Sequence, residues 1–332
     1  MSDIYHIPND DGNTYRLKKF VEYQHEVPSI HYRFMGEYIK KKQFDKDRAV
    51  NMCWLMSVTY NEITCIILDK MLNEENKTPE QIWNDYKRFL NFGSARKYAK
   101  NNDLFIQLMN EWFEATRFGK YAWLKQFNSL SSINTCLKIE MALKRFSNVG
   151  RFASDLFVEC VSYLKDYLGI NIQQPLNLDW KNCANLTSGI FNIFYEDEKA
   201  NAFDKTKKIS EKDKLYLTKK LKVIQKEIKS QYPNQDNSIT MFIGKICSFR
   251  NLFKNARYGG FHHDRQLGVI KEYEKNLPQY SEIYEECYQL RKEIFDKRFL
   301  GELNGWEGIR KERKKLWLTT GKTGVEKERA EK

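Results

Sequence analysis

The residues best suited to chemistry lie in one short segment that begins at Arg250. Arg250, Lys254 and Arg257 recur at i, i+4 and i+7, so they predict one basic stripe on a helix. Gly259-Gly260 predicts the end of that helix. The residues that follow are His262, His263, Asp264, Arg265 and Gln266. Two imidazoles beside a carboxylate and several cations suit proton transfer on an anionic substrate.

A plainer interpretation of this segment stays open. Asp264 could be the N-cap of the next helix, with His262 and His263 on the surface. A metal site is disfavoured, because adjacent histidines do not easily ligate together from one regular element. The sequence also contains no His-x-x-x-His and no His-Glu-x-x-His.

A second candidate lies between two predicted helices and concerns DNA. The periodicity predicts helices over 130–145 and 150–168, joined by a turn that carries Val149-Gly150. This is the layout of a helix-hairpin-helix, in which backbone N–H groups beside a glycine meet a DNA phosphate. An ordinary helical corner, in which Gly150 only permits the turn, explains the pattern equally well.

Three other segments could contact a nucleic acid or line a site. Residues 92–102 are basic and polar, typical of either a solvated loop or a phosphate contact. Trp306 lies between two glycines and before a basic run, so it could stack on a base or fill a core. The polar run from Thr59 to Glu62 inside an apolar stretch predicts a buried network or the floor of a pocket.

Helices must position all of these residues. The pattern predicts a buried central helix over 44–72 with Asp45 as its N-cap, and Thr78-Pro79-Glu80-Gln81 starts another. Other helices are predicted over 103–118, 209–230, 238–257, 264–276 and 279–296. The lysine-rich part of 204–229 is either a solvated helix face or a row of cations along nucleic-acid phosphate. No sustained strand alternation or repeat occurs, so the fold class is all-α.

Composition excludes several classes of protein. The chain has 332 residues and a net charge of +12, and its 41% hydrophobic and 14% aromatic content is too high for a disordered protein. It lacks an apolar run long enough to span a bilayer, and the start Met1-Ser2-Asp3-Ile4 is unlike a secretory signal. We therefore expect a cytoplasmic protein with no membrane partner. Seven widely spaced cysteines without a Cys-x-x-Cys argue against a zinc ribbon or a disulfide framework.

Taken in order, five segments resemble the phage amino acid:DNA transferases, first described as α-glutamyl/putrescinyl thymine pyrophosphorylases. The segments are Cys53 to Tyr60, Arg96 to Asn102, Gly150-Arg151-Phe152, Arg257 to Gln266, and Gly305 to Arg310. More distantly, the chain is similar to the helical domain of 5-hydroxymethyluracil DNA kinases and to helix-hairpin-helix DNA glycosylases. The resemblance covers nearly the whole chain, although each motif is short.

The resemblance implies a helical DNA-glycosylase-like fold with a helix-hairpin-helix element. It implies an enzyme that replaces phosphate or pyrophosphate on 5-hydroxymethyluracil, within double-stranded DNA, with an amine. The amine would come from an amino acid or a polyamine such as putrescine, in the cytoplasm of an infected bacterium. The modification would protect phage DNA from host nucleases. No cofactor is expected, and the sequence contains no nucleotide-binding glycine loop.

Each candidate residue then has an expected role. The catalytic residues would be Asp264, His263 and Arg265, with a carboxylate or imidazole deprotonating the amine. The substrate and its phosphate would be bound by Arg250, Lys254, Arg257, Tyr258, Gln266, Tyr60 and Trp54. The DNA would be held by Asn148, Gly150, Arg151, Arg96, Lys97, Trp306 and Arg310. The expected domains are an N-terminal extension over 1–28, a helical domain of one or two lobes over 29–318, and a charged tail over 319–332.

Two alternatives remain. A non-catalytic helical DNA-binding module would explain the charge and the hairpin, but it gives no role to residues 259–266. A divergent glycosylase is disfavoured because Phe152 stands where bifunctional members carry a lysine nucleophile. Ile170 stands where their catalytic aspartate is expected.

Overall fold

The protein is described from a computed structural model. The described residues are 16–17, 20–21, 30–93, 96, 99–100, 103–176, 184–195, 209–231, 239–253, 261–295 and 300. For 184–185, 239–241 and 250–253 the description covers the backbone alone.

Within these residues the structure is all-helical, which confirms the predicted class. In chain order the helices are α1 (His31–Lys41), α2 (Lys46–Thr59), α3 (Glu62–Asn73), α4 (Pro79–Tyr86), α5 (Leu104–Ala115), α6 (Lys120–Lys125), α7 (Ser132–Leu143), α8 (Arg151–Tyr163), α9 (Lys165–Leu168), α10 (Ala184–Phe194), α11 (Glu211–Gln231), α12 (Ile239–Phe253), α13 (Phe261–Asn276) and α14 (Ser281–Ile294). A 3₁₀ turn, Pro278–Tyr280, precedes α14. None of the described helices combines the length and the apolar character that crossing a membrane would need.

The described residues form two compact units. The large unit holds those within Ser29–Gln174 and His262–Glu302, and the small unit holds those within Met1–Pro28 and Pro175–Phe261. In the region predicted as an N-terminal extension, Phe20 is fully buried in the core of the small unit, edge-on to Phe242 and Phe249. The predicted tail over 319–332 lies outside the described residues.

Helix α2 forms the centre of the large unit. Asp45 caps it by accepting a hydrogen bond from the backbone N–H of Arg48 at 2.8 Å, as predicted. Every residue from Ala49 to Thr59 is buried, and the helix packs against α3, α6 and α8. Helix α4 begins with the predicted capping box of Thr78 and Gln81.

The predicted single helix over 44–72 is wrong in one respect, because it breaks at Tyr60 and Asn61. Tyr60 has φ 51°, in the left-handed region, and closes α2. Asn61 is extended and caps α3, accepting from the N–H of Thr64 at 3.1 Å. Glu62 therefore stands in the first turn of a new helix, where the helix dipole favours its negative charge.

Helix α13 is hydrogen-bonded to α3 through Tyr273, two helical turns after Gln266. The backbone N–H of Asn91 donates to the hydroxyl of Tyr273 at 2.8 Å, and that hydroxyl lies 2.5 Å from the hydroxyl of Thr64. Since residues seven apart share a helix face, these bonds also turn Gln266 toward α3.

The small unit depends on close approach of two helices. A Cβ on Gly189 of α10 would lie 2.5 Å from the carbonyl oxygen of Ile246 on α12, so glycine is required there. Helix α11 contributes an apolar face, Leu217, Leu221, Ile224 and Ile228, to the core. Its lysines Lys212, Lys219, Lys222, Lys226 and Lys229 are exposed.

Candidate functional site

A buried chain of polar side chains connects α1, α3, α13 and α14. Nδ1 of His31 lies 2.9 Å from Oε2 of Glu62, and Nε2 of Gln266 donates to Oε1 of Glu62 at 2.7 Å. Nη1 of Arg291 donates to Oε1 of Gln266 at 2.5 Å and to the carbonyl oxygen of His263 at 3.0 Å. We call His31, Glu62, Gln266 and Arg291 the polar network. The interpretation of 59–62 as part of a buried network is confirmed, because Glu62 is only 3% exposed.

The charge of Glu62 is set by opposing effects. Burial raises its pKa, but the charge and hydrogen bond of His31 lower it, as do bonds from its own backbone N–H and Gln266. The net result is a pKa below the usual range. Glu62 is therefore an ionised carboxylate at neutral pH in a region with little solvent.

Arg291 and Asp264 are the other buried charged residues at the polar network, besides Glu62. Burial lowers the pKa of Arg291 to about 10, and the charges of Asp264 and Glu62 oppose that shift. The guanidinium therefore stays cationic at neutral pH. Asp264 is 0% exposed and His263 is 1% exposed, so the interpretation with both histidines on the surface is wrong for His263. Asp264 is also not an N-cap, because α13 begins three residues earlier at Phe261.

Aromatic rings connect the polar network to the surface. The ring of Phe152 is 44% exposed and meets the ring of Tyr60 edge-on, with 5.2 Å between centroids. Tyr60 in turn lies 5.1 Å from the ring of His31, which meets the ring of His262 at 5.2 Å. We call Phe152, Tyr60 and His31 the aromatic path. It begins in the first turn of α8 and ends at the carboxylate of Glu62.

Gly93 fixes the strained position of Tyr60. Its N–H donates to the carbonyl oxygen of Thr59 at 2.8 Å. A Cβ on Gly93 would lie 2.4 Å from the carbonyl oxygen of Tyr60 and 2.7 Å from its ring. A left-handed aromatic residue is uncommon, and such positions are concentrated at functional sites.

Helix α7, the turn 144–150 and helix α8 occupy the segment for which a helix-hairpin-helix is predicted. The left-handed residue of its turn is Asn148, with φ 55°, whereas Gly150 has φ −79°, which any residue adopts. A Cβ on Gly150 would meet nothing within 4 Å. The need for a turn therefore does not explain Gly150. Asn148 and Gly150 are exposed and Arg151 is half-buried, with its Nε 3.3 Å from Asp155.

Two predicted contact residues lie in the interior instead. Trp54 is 0% exposed and stacks on Trp112 at 4.8 Å between centroids, so it belongs to the core and does not line the site. Arg96 is 1% exposed, and its Nε donates to the carbonyl oxygen of Val58 near the end of α2 at 3.1 Å. Burial lowers its pKa to about 10. Arg96 is predicted to hold DNA, with a solvated loop as the alternative for its segment, but its side chain is buried and supports the end of α2.

The remaining predicted residues divide into those the structure brings together and those it does not describe. His263, Asp264, Gln266 and Tyr60 lie in or beside the polar network, and Arg265 is half-buried on the same turn of α13. Lys254, Arg257, Tyr258, Lys97, Trp306 and Arg310 lie outside the described residues, as does the side chain of Arg250.

Sequence patterns do not identify two residues of the polar network, His31 and Arg291. His31 lies 31 residues from Glu62, and Arg291 lies 25 residues from Gln266, with no motif to connect either pair. Glu62 could be suspected from the polar run after an apolar helix. Among the described residues, no cluster of histidine, cysteine and carboxylate side chains could hold a metal ion.

Comparison with known proteins gives no relative of this chain, since no family model, curated protein or solved structure matches it. Its function has to be inferred from the residues described above.

Proposed function

We propose that this protein is a DNA-modifying transferase that joins an amine to a phosphorylated 5-hydroxymethyluracil base. The amine comes from an amino acid or a polyamine, and phosphate or pyrophosphate leaves. The observation that carries the proposal is the aromatic path from Phe152 to His31 and its junction with the ionised Glu62. The resemblance of the sequence to phage amino acid:DNA transferases points to the same reaction.

The aromatic path suits a pyrimidine taken out of the DNA stack. The reacting carbon hangs from C5 of the base, so an enzyme has to extrude the base to reach it. An extruded base stacks on aromatic side chains. The contacting rings of Phe152 and Tyr60 are partly exposed and could receive it. Phe152 directly follows Gly150 and Arg151, the residues proposed to grip the DNA strand.

The charged groups suit a phosphoryl leaving group and an amine. Arg265 is the half-buried cation on α13, and Arg250, Lys254 and Arg257 come before it in the sequence. Cations of this kind stabilise the charge that develops on a departing phosphate. The amine enters as an ammonium ion, so an anionic, proton-accepting site such as His31 with Glu62 favours its binding and its deprotonation.

A non-catalytic DNA-binding module is the second candidate, and the hairpin with an exposed Gly150 favours it. Such a module has no need for an ionised glutamate and an arginine buried on either side of Gln266, because buried charges are costly to retain. A divergent glycosylase has less support, because Ile170 is a buried core residue and Phe152 has no nucleophilic atom.

The deciding experiment incubates the full chain with DNA that carries phosphorylated 5-hydroxymethyluracil and a panel of amino acids and polyamines. The DNA is digested and its nucleosides are analysed by mass spectrometry. We expect a thymidine adduct with one amine and its loss in Arg265→Ala, with DNA binding retained. Tight DNA binding without an adduct would favour the module, and release of free base would favour the glycosylase.

A further inference from the structure

The imidazole of His31 has one nitrogen engaged and one unused. Nδ1 lies 2.9 Å from Oε2 of Glu62. Nε2 is buried and has no hydrogen-bond partner among the described residues. Since an ionised carboxylate can only accept, Nδ1 carries the proton and donates it to Glu62. When the ring is neutral, Nε2 therefore presents a lone pair.

The surroundings hold this ring in place. Both oxygens of Glu62 are occupied, one by His31 and the other by Nε2 of Gln266 at 2.7 Å, so the carboxylate cannot rotate away. Tyr60 and His262 contact the ring at 5.1 and 5.2 Å between centroids. A fixed imidazole with its free nitrogen at the end of the aromatic path is arranged to accept a proton from a bound ligand.

We propose that His31 is the general base that deprotonates the attacking amine, and that Glu62 is a positioning residue that fixes its tautomer. The identity of the nucleophile rests on the proposed function. Neither residue belongs to the set expected from the sequence, which placed the base at Asp264 or His263. Those two side chains are fully buried, whereas the side chain of His31 retains 17% exposure around its buried Nε2.

Nε2 takes one proton from the ammonium group, and the lone pair this frees on nitrogen forms the C–N bond to the exocyclic carbon of the base. The C–O bond to the phosphate breaks, and its electron pair leaves with the phosphate oxygen. The proton on Nε2 then passes to that phosphate. If the leaving group departs before the amine attacks, the same proton transfer is still required.

Glu62 also stabilises the charged intermediate of this cycle. Protonation of Nε2 makes the ring an imidazolium, and the carboxylate 2.9 Å away attracts that charge. The titratable groups that contact the ring are Glu62 from α3, His262 from α13 and Tyr60 from the break between α2 and α3. Asp264 and Arg291 are the other charged groups of this region.

The test combines kinetics with nuclear magnetic resonance on the full chain. With the amine that gives an adduct, we expect His31→Gln to lower kcat by about 100- to 10,000-fold and to change KM less than threefold. Glu62→Gln should lower kcat less than His31→Gln does. Glu285→Gln, an exposed glutamate on α14, is the matched control and should match the parent protein.

The resonance measurement separates this inference from the proposed function. Nitrogen-15 shifts of His31 should show the Nδ1–H tautomer in the parent protein and a larger share of the Nε2–H tautomer in Glu62→Gln. If no amine is transferred at all, the proposed function fails, and the tautomer in these two proteins decides the role of the His31–Glu62 pair alone. An Nε2–H tautomer, or a kcat within threefold of the parent in His31→Gln, would overturn the inference.

Discussion

Gln266 donates a hydrogen bond to Glu62 at 2.7 Å and joins the two charged groups of the polar network. Its carbonyl oxygen accepts from Arg291 at 2.5 Å, so the carboxamide lies between a carboxylate and a guanidinium. A glutamine can donate to the anion and accept from the cation at the same time. No other uncharged side chain of this length does both, which explains this residue at this position.

Replacing Gln266 with leucine should destabilise the large unit by about 2–4 kcal/mol. The change leaves one oxygen of Glu62 and one N–H of Arg291 without their hydrogen bonds, and each buried unsatisfied group costs about 1–3 kcal/mol. Urea unfolding followed by circular dichroism measures the loss. Gln289→Ala, exposed on α14, is the control and should stay within about 0.5 kcal/mol. If Gln266→Leu and Gln289→Ala have equal free energies of unfolding, the hydrogen bonds of Gln266 in the polar network do not stabilise the fold.

The ionisation of Glu62 predicts a specific dependence of stability on acid. Its pKa is lower in the folded chain than the ordinary value of 4.5, so its contribution is complete above that value and lost as the pH falls through the folded pKa. Between pH of about 5 and 3, the parent protein should therefore lose more stability than Glu62→Gln. Glu285→Gln should follow the parent. If Glu62→Gln loses as much as the parent, the carboxylate is protonated in the fold.

The local patterns of the sequence explain much of this fold. The caps at Asp45 and Thr78 are predictable because each depends on residues within one helical turn. The apolar face of α11 is predictable because it depends only on helical spacing. Each of these features is decided by residues that are neighbours in the chain.

The features that depend on tertiary contacts are not predictable in this way. The break at Tyr60 interrupts a continuous apolar pattern, and aromatic residues have no preference for the left-handed region. Gly93 lies 33 positions later in the sequence and packs against this break, because without a Cβ it leaves room for the carbonyl oxygen of Tyr60. The pairing of His31 with Glu62 depends on how α1 packs against α3, which no spacing rule contains.

Trp54 should behave as a core residue and not as a base-binding one. Trp54→Ala removes a fully buried ring that stacks on Trp112 and contacts Phe146, so we expect a loss of about 3–5 kcal/mol. Thermal and urea unfolding measure it. Phe118→Ala removes a ring that is 86% exposed and should cost no more than about 0.5 kcal/mol. If Trp54→Ala leaves the free energy of unfolding nearly unchanged, Trp54 is not a core residue and is again a candidate for base binding.

Gly93→Ala should be destabilising through steric overlap with Tyr60. The added Cβ would lie 2.4 Å from a backbone oxygen, which cannot move as a side-chain tip can, and overpacking of this kind costs about 1–3 kcal/mol. Gly244→Ala in α12 is the contrast, because its Cβ meets nothing within 4 Å and alanine favours a helix interior. Calorimetry should show a lower melting temperature for Gly93→Ala and no decrease for Gly244→Ala.

Gly150 in the hairpin turn should matter for DNA affinity and have little effect on the free energy of unfolding. Gly150→Ala adds a methyl group in open space, so stability should fall by no more than about 1 kcal/mol, the difference between glycine and alanine at an N-cap. If a phosphate approaches the backbone there, the same methyl group blocks it, and the Kd for double-stranded DNA should rise about tenfold.

The salt dependence of DNA affinity tests whether Arg151, next to the hairpin turn, contacts a phosphate. The logarithm of affinity should fall linearly with the logarithm of salt concentration, because each neutralised phosphate releases counterions. Arg151→Ala should reduce the magnitude of that slope by about 1, whereas Arg117→Ala, at an exposed position outside the hairpin, should leave the slope unchanged. Fluorescence anisotropy with one labelled duplex measures all three proteins. A slope near zero in the parent protein would contradict DNA binding itself, and equal slopes in the two variants would contradict the role of Arg151.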